Sequence, residues 1–320
     1  MNVIRSLEKI RYAKNSVVTV GTFDGVHRAH REIIREVVNR AHMREGRSVV
    51  VTFDPHPKAV VASARGPVQL LSTPAERIAM LIELQVDDLV IIPFTYEFSR
   101  INAATFYQDY VNRLIGVSEV VVGYDHMFGR DREAGTGELV TLGRTLDFSV
   151  FAVHPFTLDG EAISSTRIRR ALIGGDLDRA ERMLGYPYRL TGEVVSGDHR
   201  GRTLGFPTAN MVPDDRNKLV PGNGVYLAAV HVAGTHAFGM MNIGVRPTLT
   251  AGEHRVLEVH ILDFDRDIYD ETMTVTFLRR LRDERKFGSR EELVEQLERD
   301  RDAARQARMS VTYSPTQPKE

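Results

Sequence analysis

The chain has 320 residues, of which 42% are hydrophobic and 27% charged, and its formal net charge at pH 7 is −1. This length corresponds to about two domains of roughly 100–200 residues each, and the composition excludes collagen-like, mucin-like and wholly disordered proteins. The chain has no cysteine, which excludes disulfides, thiolate metal sites and thiol catalysis. With no long apolar run and no secretory signal, we expect a cytoplasmic protein, and neither a membrane nor a nucleic acid as partner.

The first half of the sequence alternates strand and helix patterns. Short β-branched runs predict strands at residues 16–21, 47–53, 88–94, 119–123 and 148–153. Helices are predicted between them at residues 30–44, 73–84 and 103–115, and the second begins with a capping box from Thr73 to Glu76. Alternating strands and helices predict a parallel, doubly wound, Rossmann-like sheet, in which ligands bind where strands end and helices begin.

The pattern changes in the second half. Two short helices are predicted at residues 166–173 and 177–184, and then β-like runs follow at residues 189–196, 224–232, 237–244, 255–262 and 272–278. With no helices between these runs, an antiparallel β-barrel is predicted, followed by a terminal helix that begins with a capping box at Ser289. We therefore predict an α/β domain at residues 1–186, an all-β domain with a terminal helix at residues 187–307, and a flexible tail at residues 308–320.

A glycine-containing motif, GTFDGVHRAH, occupies residues 21–30 between the first predicted strand and the first helix. Gly21 and Gly25 allow a turn and the close approach of a ligand, and the helix N-terminus that follows is an anion site. His27 and His30 share a helix face, where imidazole N–H groups could neutralise charge on a phosphate during transfer. A metal-binding pair and two solvated histidines are the alternatives.

Two further motifs in the first half are compatible with a nucleotide site. The segment ISSTRIR at residues 163–169 places three hydroxyls at a helix N-terminus and then arginines, which predicts either a phosphate site or an ordinary capped helix. The segment VGYDHMFG at residues 122–129 follows the fourth predicted strand, as a nucleotide-facing loop or a simple turn.

The second half contains a glycine loop within GEVVSGDHRGRTLGFPTAN at residues 192–210. It lacks the lysine and the spacing of a P-loop, but its backbone N–H groups could line phosphates around Gly197, Gly201 and Arg202. Thr208 and Asn210 are two residues apart on one predicted strand face and offer the hard oxygen ligands that Mg²⁺ prefers. A glycine-rich turn with a buried asparagine is the alternative.

The motifs of the first half, together with TFDPHP at residues 52–57, resemble in the same order the FMN adenylyltransferase module of bacterial FAD synthetases. The resemblance implies that His27 and His30 contact the ATP phosphates and that Arg169 contacts the leaving pyrophosphate. The other nucleotide- or phosphate-binding residues that it implies here are Gly21, Phe23, Asp24, Gly25, Asp125, Ser164, Ser165 and Thr166. Ala29 and His126 depart from the family pattern, where a glycine and an aromatic residue stand.

The second half resembles riboflavin kinases. The matching segments are GRTLGFPTAN at residues 201–210, PGNGVY at 221–226, NIGVRPT at 242–248, EVHILDF at 258–264 and RDERKF at 282–287. The resemblance implies that Glu258 is the general base and that Arg282, Glu284 and Phe287 bind the flavin. The role of Glu258 agrees with the chemistry, because an aliphatic hydroxyl has a pKa far above neutrality and gains from a positioned carboxylate. An exposed strand glutamate is the alternative.

Together the two resemblances cover nearly the whole chain and imply an enzyme of flavin cofactor synthesis. Such an enzyme converts riboflavin and ATP to FMN, then FMN and ATP to FAD and pyrophosphate, with Mg²⁺ as cofactor. Its partners are these small molecules, and a weak homo-oligomer is compatible with the sequence. Two alternatives remain: a kinase whose first domain has lost activity, which Ala29 suggests, and a flavin- or nucleotide-binding sensor without catalysis.

Overall fold

The computed structural model describes residues 1–61, 68–124, 135–197, 200–247 and 253–310. By packing, the chain divides into two compact units, Met1–Ser165 and Thr166–Glu320. Among the described residues, no helix is both long enough and apolar enough to cross a membrane.

The first unit is an α/β structure. Its strands are β1 (Asn2–Ile4), β2 (Ser16–Val20), β3 (Arg47–Asp54), β4 (Asp88–Pro93), β5 (Val117–Gly123), β6 (Ser149–Val153), β7 (Thr157–Leu158) and β8 (Glu161–Ala162). Its helices are a 3-10 turn (Leu7–Lys9), α1 (Arg28–Met43), α2 (Pro57–Val61), α3 (Pro74–Glu83), α4 (Tyr96–Ser99), α5 (Ala103–Thr105), which continues as a π-helix (Phe106–Ile115), and α6 (Thr136–Leu146).

The parallel sheet predicted from the sequence is confirmed. Six strands lie in the order β1-β4-β3-β2-β5-β6, and all of them pair in parallel. The strand order reverses between β2 and β5, so the crevice where such sheets bind ligands lies at the carboxyl end of β2. The edge strand β1 was not predicted, because it has only three residues and two of them are exposed.

The sheet forms because its central strands are buried on both faces. Every residue of β2 is buried, which is the pattern expected of an inner parallel strand. One face packs against the π-helix through Tyr107 and Val111, and the other packs against α1 through Val37 and Ala41. This packing fixes the carboxyl end of β2 against the N-terminus of α1, where the first motif lies.

The second unit is a β-barrel with helices. Its helices are α7 (Ser165–Ile173), α8 (Leu177–Leu184), α9 (Arg200–Thr203) and α10 (Arg290–Ser310). Its strands are β9 (Arg189–Val195), β10 (Ala209–Pro213), β11 (Gly224–Val232), β12 (Thr235–Pro247), β13 (Glu253–Ile261) and β14 (Thr272–Arg282). The strands form a closed antiparallel barrel in the order β10-β13-β12-β11-β14-β9, which confirms the predicted barrel.

The division by packing differs from the sequence prediction. The predicted boundary lies between residues 186 and 187, whereas the structure divides after Ser165. The reason is that α7 and α8 pack within the second unit: the Gly222 N–H donates to the Leu172 carbonyl at 2.8 Å, and a Cβ at Gly175 would lie 2.7 Å from the Arg280 Nε. By packing, both helices therefore belong with the barrel.

The C-terminal helix also differs in detail from its prediction. It continues to Ser310, so its last three residues lie within the predicted flexible tail, and residues 311–320 lie outside the described part of the chain. At its N-terminus, the Ser289 Oγ accepts a hydrogen bond from the Glu292 N–H, which is half of the predicted capping box. The Glu292 carboxylate accepts from the Gly288 N–H and not from the Ser289 N–H.

Candidate functional site

The loop between β2 and α1 has an unusual backbone. Phe23, Gly25 and Val26 all have positive φ angles, of 46°, 83° and 34°. Only glycine adopts such angles without strain, so the positions of Phe23 and Val26 must be fixed by their surroundings. Both side chains are buried, at 3% and 0% exposure, which supplies that constraint. The loop is therefore held in one shape by its own apolar side chains.

Asp24 ties this loop to the segment before α3. Its carboxylate, 1% exposed, accepts hydrogen bonds from the backbone N–H of Leu71 and Ser72 at 3.0 Å, while the Ser72 Oγ accepts from the Gly25 N–H at 2.8 Å. The sequence placed Asp24 among the phosphate-binding residues. A buried carboxylate would repel a phosphate, so this geometry gives Asp24 the task of shaping the loop.

His27 and His30 lie together at the N-terminus of α1. Their rings stack with centroids 3.5 Å apart, and the His27 Nδ1 accepts from the His30 backbone N–H at 3.3 Å as the helix N-cap. This bond leaves the proton of neutral His27 on Nε2 as a donor. The Nδ1 atom of His30 is buried without a hydrogen-bond partner.

Burial, followed by the nearby His27 and Arg77, holds the pKa of His30 well below its usual value near 6.5. His30 is therefore neutral near pH 7 and offers a ring N–H as a donor.

The hydroxyl motif at residues 163–169 is divided between the two units. Ser165 begins α7, and its Oγ donates to the Asp24 carbonyl at 3.1 Å, so this residue meets the first loop. Ser164 is half-buried beside it. Thr166 is exposed and Arg169 is half-buried, and both belong to the second unit by packing. Asp125 and His126 lie outside the described residues.

An aromatic cluster at the carboxyl end of the sheet was not identified from the sequence. Phe53 at the end of β3 lies 5.5 Å from Phe94, just after β4, and Phe94 lies 5.5 Å from Phe98 in α4. All three side chains are half-buried, so their rings are partly open to a ligand. Single phenylalanines in three separate segments give no local signal, because only the strand order brings them together.

A buried arginine near the same loop was also missed. Arg77 in α3 is 4% exposed, and its Nη1 lies 3.3 Å from the Thr52 Oγ1 and 3.4 Å from the Phe53 carbonyl. One signal was present in the sequence, since Arg77 stands four residues before the buried Leu81 and so falls on the apolar face of the helix.

In the second unit, the glycine loop lies directly on the two candidate magnesium ligands. A Cβ at Gly197 would overlap the side-chain amide of Asn210, and a Cβ at Gly201 would lie 3.0 Å from the Thr208 Oγ1. Glycine is therefore required at both positions for the loop to approach so closely. The structure thus brings together four predicted residues; of the Arg202 side chain nothing is described.

Glu258 stands in the middle of a row of polar residues across three strands. It pairs in register with Asn210 of β10 on one side and with Asn242 of β12 on the other. Directly paired residues share one face of a sheet, and all three are half-buried. Asn242 was not predicted as a site residue, because its place beside Glu258 depends on the register of the barrel.

The three residues predicted to bind flavin have different surroundings. The Arg282 Nε and Nη2 contact the buried carboxylate of Asp300 in α10 at 2.9 and 2.7 Å, and its Nη1 donates to the Asp283 carbonyl. The Glu284 carboxylate accepts from the Val245 N–H at 3.0 Å. Phe287 is half-buried and partly open. The donors of Arg282 thus anchor the last helix, and its role in flavin binding stays a prediction.

A cavity of about 360 Å³ opens beside the glycine loop. Its walls include Val194, Pro207, Thr208, Val259, Phe264 and Tyr269. Asp265, Arg266 and Asp267 also line it, so apolar and charged side chains share the walls, and a volume of this size is typical of a site for a small organic ligand. Because Thr208 lines it, the cavity is continuous with one of the candidate magnesium ligands.

The comparisons with known proteins divide the chain in a similar way. The model of the FAD synthetase family matches residues 9–167, and that of the riboflavin kinase family matches residues 184–308. The chain belongs to the bifunctional riboflavin kinase/FMN adenylyltransferase family. Its relative in Listeria monocytogenes is 38% identical, covering 89% of this chain and 90% of the relative. The relative in Pseudomonas fluorescens is also 38% identical, covering 95% of this chain and 97% of the relative.

A solved structure has the same fold over the whole chain. It is described as a macrolide-efflux protein from Streptococcus pneumoniae, is 34% identical, covers 98% of this chain and 99% of its own, and gives a TM-score of 0.83. An efflux function does not follow for this chain, because both family matches and the curated relatives are flavin enzymes.

Proposed function

We propose that this bifunctional enzyme of flavin cofactor synthesis uses one site in each unit. The barrel transfers the γ-phosphate of ATP to the 5′-hydroxyl of riboflavin, giving FMN and ADP. The α/β unit transfers the adenylyl group of a second ATP to FMN, giving FAD and pyrophosphate. The observation that carries this assignment is the alignment of Asn210, Glu258 and Asn242 under a loop whose glycines contact Thr208 and Asn210.

In the kinase reaction, the Glu258 carboxylate accepts the proton of the riboflavin 5′-hydroxyl. The hydroxyl oxygen forms a bond to the γ-phosphorus of ATP, the bond from that phosphorus to the bridging oxygen breaks, and ADP leaves. A positioned carboxylate is suited to this step because a free hydroxyl is almost wholly protonated at pH 7. Glu258 is half-buried between its paired neighbours Asn210 and Asn242, which holds it in one place on the barrel.

The donor set beside Glu258 fits a magnesium ion. Thr208 and Asn210 offer neutral hydroxyl and amide oxygens, and a nucleotide-bound Mg²⁺ takes only one or two protein ligands because phosphates and water supply the rest. When bound, the ion would neutralise charge on the phosphates. The backbone of the loop at Gly197 and Gly201 lies against both ligands and can follow the same phosphates.

The neighbouring cavity suits the base of the nucleotide. Its apolar walls at Val194, Val259 and Phe264 can enclose a planar ring, while Thr208 lies on the side of the candidate phosphate site. A purine in this position would place its triphosphate along the glycine loop. We therefore assign the cavity to the adenine of the ATP that the kinase uses.

The adenylyl transfer needs donors but no base. The phosphate of FMN is already an anion, and one of its oxygens attacks the α-phosphorus of ATP while pyrophosphate leaves. The charge that develops on the leaving group is met by the ring N–H groups of His27 and His30. Phe53, Phe94 and Phe98 provide the aromatic surface for the flavin ring.

The remaining assignments rest on chemistry and composition. The substrates are riboflavin, FMN and ATP, and the use of ATP with a chain that has no cysteine favours the cytoplasm. A net charge of −1 gives no basis for nucleic acid binding. Any homo-oligomer would be weak.

One assay tests the assignment. The full chain is incubated with riboflavin, ATP and Mg²⁺, and the flavins are separated by chromatography, with a parallel sample in which a chelator removes the metal. We expect FMN followed by FAD, and neither product without metal. FMN alone would indicate a kinase whose first unit is inactive, neither product with metal would indicate a binding protein, and full turnover without metal would exclude the magnesium assignment.

A further inference from the structure

Arg77 is a charged residue in a place that folding alone disfavours. It lies in the first turns of α3, and its side chain is 4% exposed among apolar neighbours such as Leu81. An arginine is protonated at every physiological pH, so this burial places a full positive charge in a poorly solvated region. A buried charge costs stability unless good partners compensate it.

The partners of Arg77 are weak. Its Nη1 contacts two neutral oxygens, the Thr52 Oγ1 at 3.3 Å and the Phe53 carbonyl at 3.4 Å. Its Nε is buried without any acceptor. Within the described part of the chain, Arg77 forms no ion pair at 4.0 Å or less. The guanidinium charge is thus largely uncompensated.

Nearby acidic groups act on Arg77 only from a distance. Burial lowers the pKa of Arg77, and the carboxylates of Asp24 and Asp54 partly oppose that effect. The Asp24 carboxylate accepts the N–H groups of Leu71 and Ser72 and is not within 4.0 Å of the Arg77 guanidinium nitrogens. An arginine that is kept under these conditions calls for a functional explanation.

The contacts of Arg77 lead to the loop that carries the two histidines. The Thr52 hydroxyl, which Arg77 contacts, also lies 3.3 Å from the Thr22 carbonyl in that loop. Arg77 also acts electrostatically on His30, since its charge is one cause of the lowered pKa of that histidine. Its positive charge is therefore felt where the polyphosphate is to bind, although its burial keeps the guanidinium from reaching a ligand.

We propose that Arg77 is a positioning residue of the adenylyl-transfer site, a permanent buried charge that draws the ATP polyphosphate to the loop of residues 21–27 without touching it. The proposal rests on the proposed adenylyl transfer in the first unit. A fixed charge acts on bound ATP in the ground state and the transition state alike, so its main effect is on KM. Because the guanidinium charge of Arg77 has no ion-pair partner among the described residues, it attracts an anion more strongly than an ion-paired arginine would.

The test compares two substitutions that differ in charge. Arg77→Lys keeps a charge and a donor, whereas Arg77→Gln keeps a donor for Thr52 and Phe53 but loses the charge. Steady-state kinetics of FAD formation from FMN give KM for ATP and kcat. A unit charge several ångströms away, at an effective dielectric constant of about 20, is expected to change KM by roughly 10- to 50-fold. We expect that rise in Arg77→Gln, a rise of less than about fivefold in Arg77→Lys, and little change in kcat in either.

Arg40→Gln is the matched control. Arg40 is a partly buried arginine of the same unit, but it is ion-paired with Glu36 at 2.6 Å and Glu119 at 3.0 Å, at the other end of the strands. We expect this control to lower the melting temperature and leave KM for ATP unchanged. The riboflavin kinase reaction of each variant reports whether the rest of the chain is intact.

Each outcome has one meaning. If Arg77→Gln and Arg77→Lys raise KM equally, or if both lose kcat in proportion to their folded fraction, Arg77 is structural and the proposal is wrong. If KM is unchanged in Arg77→Gln, the charge does not act on ATP and the proposal is also wrong. A parent chain that makes no FAD would overturn the proposed adenylyl transfer itself, whereas the other two outcomes leave that function intact.

Discussion

The loop of residues 21–27 and the strand row around Glu258 differ in the atoms that they present. The loop offers hydrogen-bond donors: two imidazoles stacked 3.5 Å apart and the N-terminus of α1. The row offers acceptors: one carboxylate between two side-chain amides, with Asn210 and Asn242 in register beside Glu258. An anionic nucleophile such as a phosphate needs only charge neutralisation, whereas a neutral hydroxyl needs a base. The two surfaces thus match two different nucleophiles.

The scaffolds differ in the same way. A parallel sheet directs its strand ends and helix N-termini to one edge, which collects backbone donors around an anion. A closed antiparallel barrel brings side chains from distant segments into register on one face. We expect the two regions to be separable in folding and in activity, and the following predictions test that separation from the largest effect to the smallest.

The largest effect is expected on the stability of the isolated barrel, when fragments that begin at two different residues are compared. A fragment of residues 166–320 keeps α7 and α8, whereas a fragment of residues 186–320 loses Leu172, Leu177, Met183 and Leu184, all of them buried. Burying each such side chain contributes about 1.5–3 kcal/mol, so the shorter fragment should lose more than about 5 kcal/mol, comparable to the whole stability of a domain.

Urea unfolding followed by circular dichroism measures the difference between the fragments. We expect a cooperative transition and riboflavin kinase activity for residues 166–320 only. Equal midpoints for the two fragments would show that the helices do not stabilise the barrel, and would favour the boundary at residue 186.

Glu258→Gln should produce the largest catalytic loss. The amide keeps the shape of the side chain but cannot accept the proton, so riboflavin phosphorylation should fall by roughly 10²–10⁴-fold. FAD formation from supplied FMN should persist in the same sample. Glu193→Gln, an exposed glutamate of β9, is the matched control and should leave both reactions unchanged. Near-normal kinase turnover in Glu258→Gln would exclude Glu258 as the base.

A substitution in the first site should have the opposite effect, with FAD formation lost and riboflavin phosphorylation retained. His30→Ala removes a hydrogen-bond donor to the polyphosphate, and losing one such donor typically costs about 10²–10³ in rate. Synthesis should then stop at FMN while riboflavin phosphorylation continues. His154→Ala, which changes an exposed residue, is the control. If His30→Ala still accumulates FAD at the parent rate, the histidine assignment fails.

Local features of the sequence were enough to predict most of the fold. The buried β-branched run of β2 can form only an inner strand, and the capping box at Thr73 is present, with the Thr73 Oγ1 accepting from the Glu76 N–H at 3.2 Å. The glycine loop and the pair Thr208 and Asn210 were singled out in one short segment, and the structure places Gly197 and Gly201 against that pair. In each case the signal lies within about fifteen residues.

Features that depend on distant partners could not be predicted. Asn242 reaches Glu258 only through the register of β12 and β13, and Arg282 meets Asp300 only after the chain has turned into α10. Neither contact has a local signature, because side-chain pairing is decided by tertiary packing. The same reason explains the division after Ser165, since an amphipathic helix does not reveal which unit covers its apolar face.

Breaking the ion pair between Arg282 and Asp300 should give a smaller effect, on stability. Asp300 is 3% exposed and holds two nitrogens of Arg282, which is itself partly exposed. Breaking a buried pair costs about 3–5 kcal/mol, and partial exposure should reduce this to about 2 kcal/mol for Arg282→Met. Asp300→Asn should lose a similar amount, while KM for riboflavin stays within about threefold in both. A tenfold rise in KM for riboflavin confined to Arg282→Met would support its predicted role in flavin binding.

The smallest expected effect is the contribution of His30 in the first unit to the pH dependence of stability. The pKa of His30 lies well below its usual value, so the folded first unit resists a proton that the unfolded chain accepts below about pH 6.5. The resulting stability is fully present above that pH and is lost as the pH falls toward the lowered pKa, by at most about 1.4 kcal/mol per pH unit. Urea midpoints measured from pH 7.5 to 5.0 should therefore fall less steeply in His30→Gln than in the parent chain. The pKa of His260 in the barrel is also lowered by burial, but its contribution is the same in both proteins and cancels in the difference. Parallel curves for the two proteins would mean that His30 takes up its proton equally in the folded and unfolded states, and that burial does not lower its pKa.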